Sequence, residues 1–137
     1  MNSANLHQAV FTRLAGYVPL TSQIEDVYSR VPQPDDAGSD APFPYVTFEI
    51  ASATPFDTQT DLGINAIVQV HVWSRTTSDL VRRAIEDAVY DALHRYNLPI
   101  NGCSTVDVLF QTKTEFADPD GMTMHGILSF RVSYDEV

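Results

Sequence analysis

Two stretches of this chain change character at every second residue. In "YVTFEIA", 45–51, Val46, Phe48 and Ile50 fall on one side, with Thr47, Glu49 and Ala51 on the other. In "INAIVQVHVW", 64–73, Ile64, Ala66, Val68, Val70 and Val72 share a side opposite Asn65, Ile67, Gln69, His71 and Trp73. A period of two belongs to strands whose two faces meet different surroundings. Strands buried in a parallel sheet are apolar on both faces, so the alternation predicts a mainly antiparallel sheet with cover on one side. Pro42 and Pro44 fix their own φ and bias Ala41 and Phe43 toward extended backbone, which defines the start of the first of these strands.

The remaining elements follow from other periodicities. "SDLVRRAIEDAVYDALHRY", 78–96, repeats Val81, Ile85, Val89 and Leu93 every four residues, with Leu80, Ala84, Ala88 and Ala92 alongside, and predicts a helix packed on the sheet. Ser78 is placed to cap it, Asp79 suits the first turn, His94 and Arg95 suit the last, and Asn97 and Pro99 end it. A first helix is expected over 3–16, capped by Ser3 or Asn5, with Leu6, Ala9, Val10 and Leu14 inward and Gly16 as its stop. "VYSRV", 27–31, reads as a short strand ended by Pro32, and "PQPDDAGSDAP", 32–42, as a surface loop. Strands are expected over 105–116, with Val106, Val108, Phe110 and Phe116 in phase, and 122–134, with Met122, Met124, Leu128, Phe130, Val132 and Tyr134 in phase. "DPDG", 118–121, suits a turn between them. The expected fold is a single α+β domain over 1–137: a mainly antiparallel sheet of four to five strands with two helices on one face.

Chemistry is sparse along this scaffold. There is no phosphate-cradling glycine loop, G-x-S-x-G, H-E-x-x-H or C-x-x-C. With no catalytic, cofactor or metal residues to name, the reading is a protein that is not an enzyme and has no cofactor. His71 and His125 could share a sheet face and bind a metal if their strands paired, although a partly exposed sheet histidine is the plainer reading. Asp35, Asp36 and Asp40 lack the ligand spacing of a calcium loop and read as solvated. Glu86, Asp87 and Asp91 read as the wet face of the long helix, with Arg82, Arg83 and Arg95 available for weak pairing. Cys103 stands alone and reads as a small semi-buried thiol. A net charge of −10 repels phosphate backbones and argues against a DNA-binding face. "MNSANLHQAVFTRLAG" lacks a signal-peptide pattern and no stretch suits a membrane span, so a soluble cytoplasmic product is expected.

One segment stands apart. "SATPFDTQTDLG", 52–63, joins two strands with a connection longer than hairpin loops usually are and carries Phe56 among polar residues. Together with Ile67, His71 and Trp73 on the less apolar face of 64–73, it suggests a contact surface. The candidate interface residues are Phe56, Asp57, Asp61, Ile67, His71, Trp73 and Arg75.

Several separated pieces occur in one order: "VYSRVPQ", "APFPYVTFEIASATPFDTQT", "VQVHVWSR", "AIEDAVYDALHRYNLPI" and "ADPDGMTMHGILSFRV". In this the chain resembles the tail completion, or tail terminator, family of long-tailed bacteriophages and gene transfer agents over about residues 4–134. The resemblance implies a structural virion protein: a ring of copies of itself, usually a hexamer, that caps the tail tube, stops tube polymerisation and presents a surface to the head-side connector or stopper protein. It implies location at the head-tail interface, after assembly in the host cytoplasm. DNA would pass through the ring without specific binding, and no membrane is involved. A small α+β enzyme or metal-binding protein of prophage origin is the alternative.

Overall fold

The computed structural model describes residues 2–29, 42–56, 62–76 and 78–136. They form an α+β fold: helices α1 (Ser3–Gly16), α2 (Val18–Thr21) and α3 (Asp79–Leu93), and strands β1 (Val27–Tyr28), β2 (Tyr45–Pro55), β3 (Leu62–Ser74), β4 (Cys103–Ala117) and β5 (Met124–Glu136). The sheet has the order β1-β2-β3-β5-β4. Every neighbouring pair is antiparallel except β1 with β2, which run parallel. The mixed sheet thus keeps the antiparallel character that the alternating strands require. The single-turn helix α2 escapes any periodicity argument, since its four residues are too few to show one.

The core takes the face that the alternation selects. Ile64, Ala66, Val68, Val70 and Val72 of β3 lie opposite Tyr134, Val132, Phe130, Leu128 and Gly126 of β5. They are buried together with Val46 and Phe48, with Leu6, Val10 and Leu14 of α1, and with Ile85, Val89 and Leu93 of α3. The ring of Phe48 meets His7 at 4.8 Å and Phe11 at 6.3 Å, which docks α1 on β2. Burying each such side chain contributes roughly 1.5–3 kcal/mol, enough to hold helices that would be marginal alone.

Local details depart from the sequence reading in instructive ways. Ser78 caps α3 as expected, its hydroxyl accepting from Leu80 N–H. At α1 neither Ser3 nor Asn5 is the cap, which falls to Asn2 in left-handed backbone without a side-chain capping bond. Asn5 instead donates to the Asn101 carbonyl at 3.0 Å. Helix α3 ends at Leu93, short of His94 and Arg95. Freed from the helix, Arg95 N–H donates to the Val108 carbonyl at 2.7 Å, and Phe110 N–H donates to His94 Nδ1 at 3.0 Å. The expected Asp118–Gly121 turn is present: Gly121 N–H donates to the Asp118 carbonyl at 3.1 Å and Gly121 takes φ +72°. A cis peptide bond joins Phe43 to Pro44 just before β2.

Three register shifts reset the alternation. In β2 the register jumps between Ile50 and Ser52, and in β4 between Ser104 and Asp107 and again between Phe110 and Thr112. A single extra residue sends every later side chain to the other face. Phe116 therefore lies opposite His125, away from the core side on which Val108 and Phe110 sit, while Glu115 lies opposite Gly126 on that side. The segment 52–63 is also not one long loop. Ser52–Pro55 continue β2, β3 begins at Leu62, and Phe56 N–H still donates to the Gly63 carbonyl at 2.8 Å. The acidic loop, with Asp35, Asp36 and Asp40, lies outside the described residues.

Candidate functional site

The face of the sheet opposite the core carries a continuous row of rings. Tyr45, Trp73, His125 and Phe116 are successive cross-strand neighbours on β2, β3, β5 and β4. Tyr45 stacks on Trp73 at 6.2 Å between centroids, Trp73 on His125 at 3.7 Å, and Phe116 meets His125 edge-on at 4.6 Å. Tyr28 and Phe43 extend the row beyond Tyr45, at 5.8 and 4.8 Å. Such offset and edge-on pairs contribute about 0.5–1.5 kcal/mol each beyond their buried area. Polar handles fix the row: Trp73 Nε1–H donates to Thr47 Oγ1 at 3.1 Å. The Arg75 guanidinium sits 4.2 Å over the Phe43 ring while its Nε–H donates to Thr123 Oγ1 at 3.0 Å.

Of the residues selected from sequence, His71, Trp73 and Arg75 come together here. Ile67 lies farther along the same side of β3, six residues before Trp73, or about 20 Å at strand rise. Phe56 is ten strand positions from Trp73 at the hairpin end of that side, about 33 Å away. Its ring is 42% exposed and covers Gly63 so closely that a Cβ there would come within 2.4 Å of it. Phe56 therefore has a role within the chain, shielding a strand glycine, besides any outside contact. Asp57 and Asp61 lie outside the described residues.

Next to the row, four titratable groups form a chain. Glu49 Oε1 contacts His71 Nε2 at 2.9 Å, His71 Nδ1 contacts His125 Nε2 at 2.7 Å, and His125 Nδ1 stands 3.9 Å from Asp118 Oδ1. Burial, and then the neighbouring His71, hold the His125 imidazole down at about 4, so it is neutral at physiological pH. The pairing of β3 with β5 is what makes this contact, and the sequence reading had identified that condition.

The core side holds a second polar group, where the sequence reading placed a wet helix face. Arg82 and Glu86 of α3 are both buried, Glu86 to 1% exposure. Arg82 pairs with Glu115 and lies 3.2 Å from Asp79 and 3.6 Å from Glu86. Lys113 Nζ reaches Glu115 at 3.1 Å and Glu86 at 3.6 Å. Glu115 thus attracts the best donors. Despite its partial burial its carboxyl is held at about 2 by hydrogen bonds from Lys113, Arg82 and Arg83. Neither oxygen of Glu86 has a hydrogen-bond partner, and burial, then the adjacent Glu115 charge, push it up to about 7. Gly126 makes the room, because a Cβ there would stand 1.8 Å from Glu86 Oε2. Val81 and Leu80, read as inward, are 38% and 77% exposed. The helix has turned its Arg82–Glu86–Val89–Leu93 row toward the sheet instead.

A hollow of about 320 Å³ is lined by Asn5, Gln8, Arg13 and Tyr96 among others, and a groove of about 610 Å³ by Arg75, Thr76, Asp79, Gly121, Met122 and Met124. Glu86, Glu115 and His125 line neither. Among the described residues no helix is long and apolar enough to cross a membrane.

The α+β fold presents a fixed row of rings on its outer face, and comparison with known proteins assigns it to a class of structural tail proteins. The model of the tail completion protein gp17 family matches residues 8–135. Tail completion protein gp17 of Bacillus phage SPP1 is 32% identical over 129 residues, covering 94% of this chain and 91% of its own. Its solved structure superposes with a TM-score of 0.63 at 31% identity, over 95% of this chain and 88% of that one. A chain of a native gene transfer agent virion shares the fold, with a TM-score of 0.82 at 20% identity, over 95% and 94% of the two chains. The chain belongs to the tail completion protein gp17 family.

Proposed function

We propose that the protein works as a single domain in the virion tail, at the head-tail interface, where copies form a ring, six-fold in the simplest case. The ring caps the tail tube, stops its polymerisation and offers its other side to the head-side connector or stopper protein. DNA passes through without specific binding, in keeping with a net charge of −10. The aromatic face is the contact surface, with Ile67, His71, Trp73 and Arg75 along it and Phe56 toward the hairpin end; Asp57 and Asp61 join it on the sequence reading alone. Supporting this reading is the open end of the row: Phe116 stands beside His125 at the margin of the sheet with 41% of its surface exposed. A large ring kept in water on an already ordered platform suits an anchor for a partner.

Phe116→Ser tests this reading. The variant is expected to remain folded by circular dichroism. In a complementation system it is expected to give tails of abnormal length or tails that fail to join heads, seen by electron microscopy, because anchors of this kind often contribute about 2 kcal/mol or more. Tails of normal length that join heads at the parental frequency would overturn the assignment of this face.

A further inference from the structure

We propose that the hollow beside α1 receives a carboxylate side chain from a second copy of this chain, with Arg13 as the cation that binds it. The hollow holds about 320 Å³ and lies between α1 and the segment after α3, where Asn5, Gln8, Thr12, Tyr96 and Asn101 line it together with Arg13. Sites of about 300 Å³ are at the small end of the range for ligands and suit one acidic side chain with its water. Arg13 is held on three sides. Its guanidinium carbon stands 3.7 Å from the centre of the Tyr96 ring and 4.6 Å from that of Tyr17, and its Nε–H donates to the Ala92 carbonyl at 2.7 Å. With rings at its faces and a carbonyl at Nε, what remains is the edge carrying both Nη groups. Those groups have no hydrogen-bond partner among the described residues and reach solvent. Two parallel N–H donors on one edge match the two oxygens of a carboxylate.

The rest of the lining is neutral and already ordered: Gln8 Nε2 donates to Thr12 Oγ1 at 3.1 Å, and Asn5 Nδ2 to the Asn101 carbonyl at 3.0 Å. A guanidinium fixed before binding has little side-chain freedom left to lose. Charge then selects the ligand. One cation with no second beside it suits a singly charged carboxylate better than a phosphate dianion, and the net charge of −10 repels nucleic acid as a whole. Arg75, Arg82, Arg83 and Lys113 each have a carboxylate within 4 Å, whereas Arg13 has none among the described residues. An excess of 18 Asp and Glu over 8 Lys and Arg leaves every copy with carboxylates to offer a neighbour. The hollow is on the helix side of the sheet, away from the row of rings, so each subunit presents two different patches, as head-to-tail association requires. Taking the partner to be another copy rests on the ring reading; the chemistry of the hollow does not.

Sedimentation of the full chain over a concentration series at low salt is expected to show self-association that propionate suppresses and propionamide, at equal ionic strength, does not. Gln8→Glu puts an acid of the chain's own into the hollow and removes none of the contacts that hold Arg13. It should raise the dissociation constant about tenfold or more, the effect of losing a charge-assisted hydrogen-bonded pair. Gln8 is exposed, so the variant is expected to stay folded by circular dichroism. Should it fail to fold, the comparison of propionate with propionamide on the parent carries the test alone. A parent that remains monomeric at millimolar concentration, or association indifferent to Gln8→Glu and to propionate, would overturn the site. Association that Phe116→Ser weakens and Gln8→Glu leaves intact would overturn it while the ring reading stands. Association that stops at dimers and is lost in Gln8→Glu would keep the site and remove the ring.

Discussion

On opposite faces of the β4–β5 ladder, adjacent residues have opposite neighbourhoods. Glu115 and Gly126 face Arg82 and Glu86 of α3 in a buried cluster of charge, while Phe116 and His125, one position on, join the outer row of rings. Charge sits inside and aromatic surface outside, the reverse of ordinary burial. The difference shows what each face is for. A buried ion cluster contributes little net stability but is costly when broken, so it fixes how α3 sits. Rings left partly in water contribute stability through stacking and keep area in reserve.

The largest effect should come from breaking the inner face. Arg82→Ala leaves Glu115 and Glu86 with the half-exposed Lys113 as their remaining shared cation and is expected to cost about 3 kcal/mol in urea denaturation. A cost below that of an ordinary surface substitution would mean that the cluster is solvated and the contrast between the faces is unreal.

The pH dependence comes next. Glu86 is pushed from 4.5 up to about 7 by folding, so its favourable contribution is complete below about 4.5 and is lost as the pH rises through about 7. Glu115, lowered to about 2, acts in the other direction, contributing above about 4.5 and losing that contribution as the pH falls toward 2. Between pH 5 and 8 Glu86 removes stability on the order of 2 kcal/mol while His125, lowered from 6.5 to about 4, adds a comparable amount, so Glu86→Gln should make stability rise with pH relative to the parent. Parallel curves for the two proteins would show that Glu86 does not titrate in this window.

Smaller effects belong to the outer face. Thr47→Val removes the acceptor of the Trp73 N–H, at a cost of about 1 kcal/mol and with a shift in Trp73 emission. Phe56→Ser uncovers Gly63 and should cost about 0.2–1 kcal/mol while the chain stays folded. A loss of several kcal/mol at Phe56 would make it a core residue and remove it from the proposed assembly surface.

How far the sequence could be read follows the same division. Alternation in 64–73 identifies the core side of β3 and the mixed character of its other side correctly, because that strand carries no bulge. In 105–116 the alternation misleads after Phe110, since the extra residue at Gln111 shifts the phase and nothing in its side chain announces it. Arg82 and Glu86 look like a solvated i,i+4 pair from spacing alone. What buries them is the absent side chain at Gly126, forty residues later, which becomes meaningful only once β5 lies beneath α3. The tail completion family was legible from its separated motifs, and Trp73 with His71 from their place on β3. His125 was named with His71 only as a pair conditional on their strands meeting, and Phe116 was not named with them, because the β3–β5 and β4–β5 registers carry the row that far.

The early end of helix α3 has a consequence for solubility. Strand β4 is fifteen residues long and closes the sheet on one side, so its outward backbone would otherwise be a template for any passing strand. Arg95 N–H and His94 Nδ1 occupy the Val108 carbonyl and the Phe110 N–H, so mid-strand has nothing to offer. Beyond the bulge, Lys113 and Glu115, paired with each other and with Glu86 and Arg82 of α3, put charges where an added strand would want apolar cover. Two residues surrendered by a helix thus blunt the edge through which a sheet-rich protein would join others in fibres.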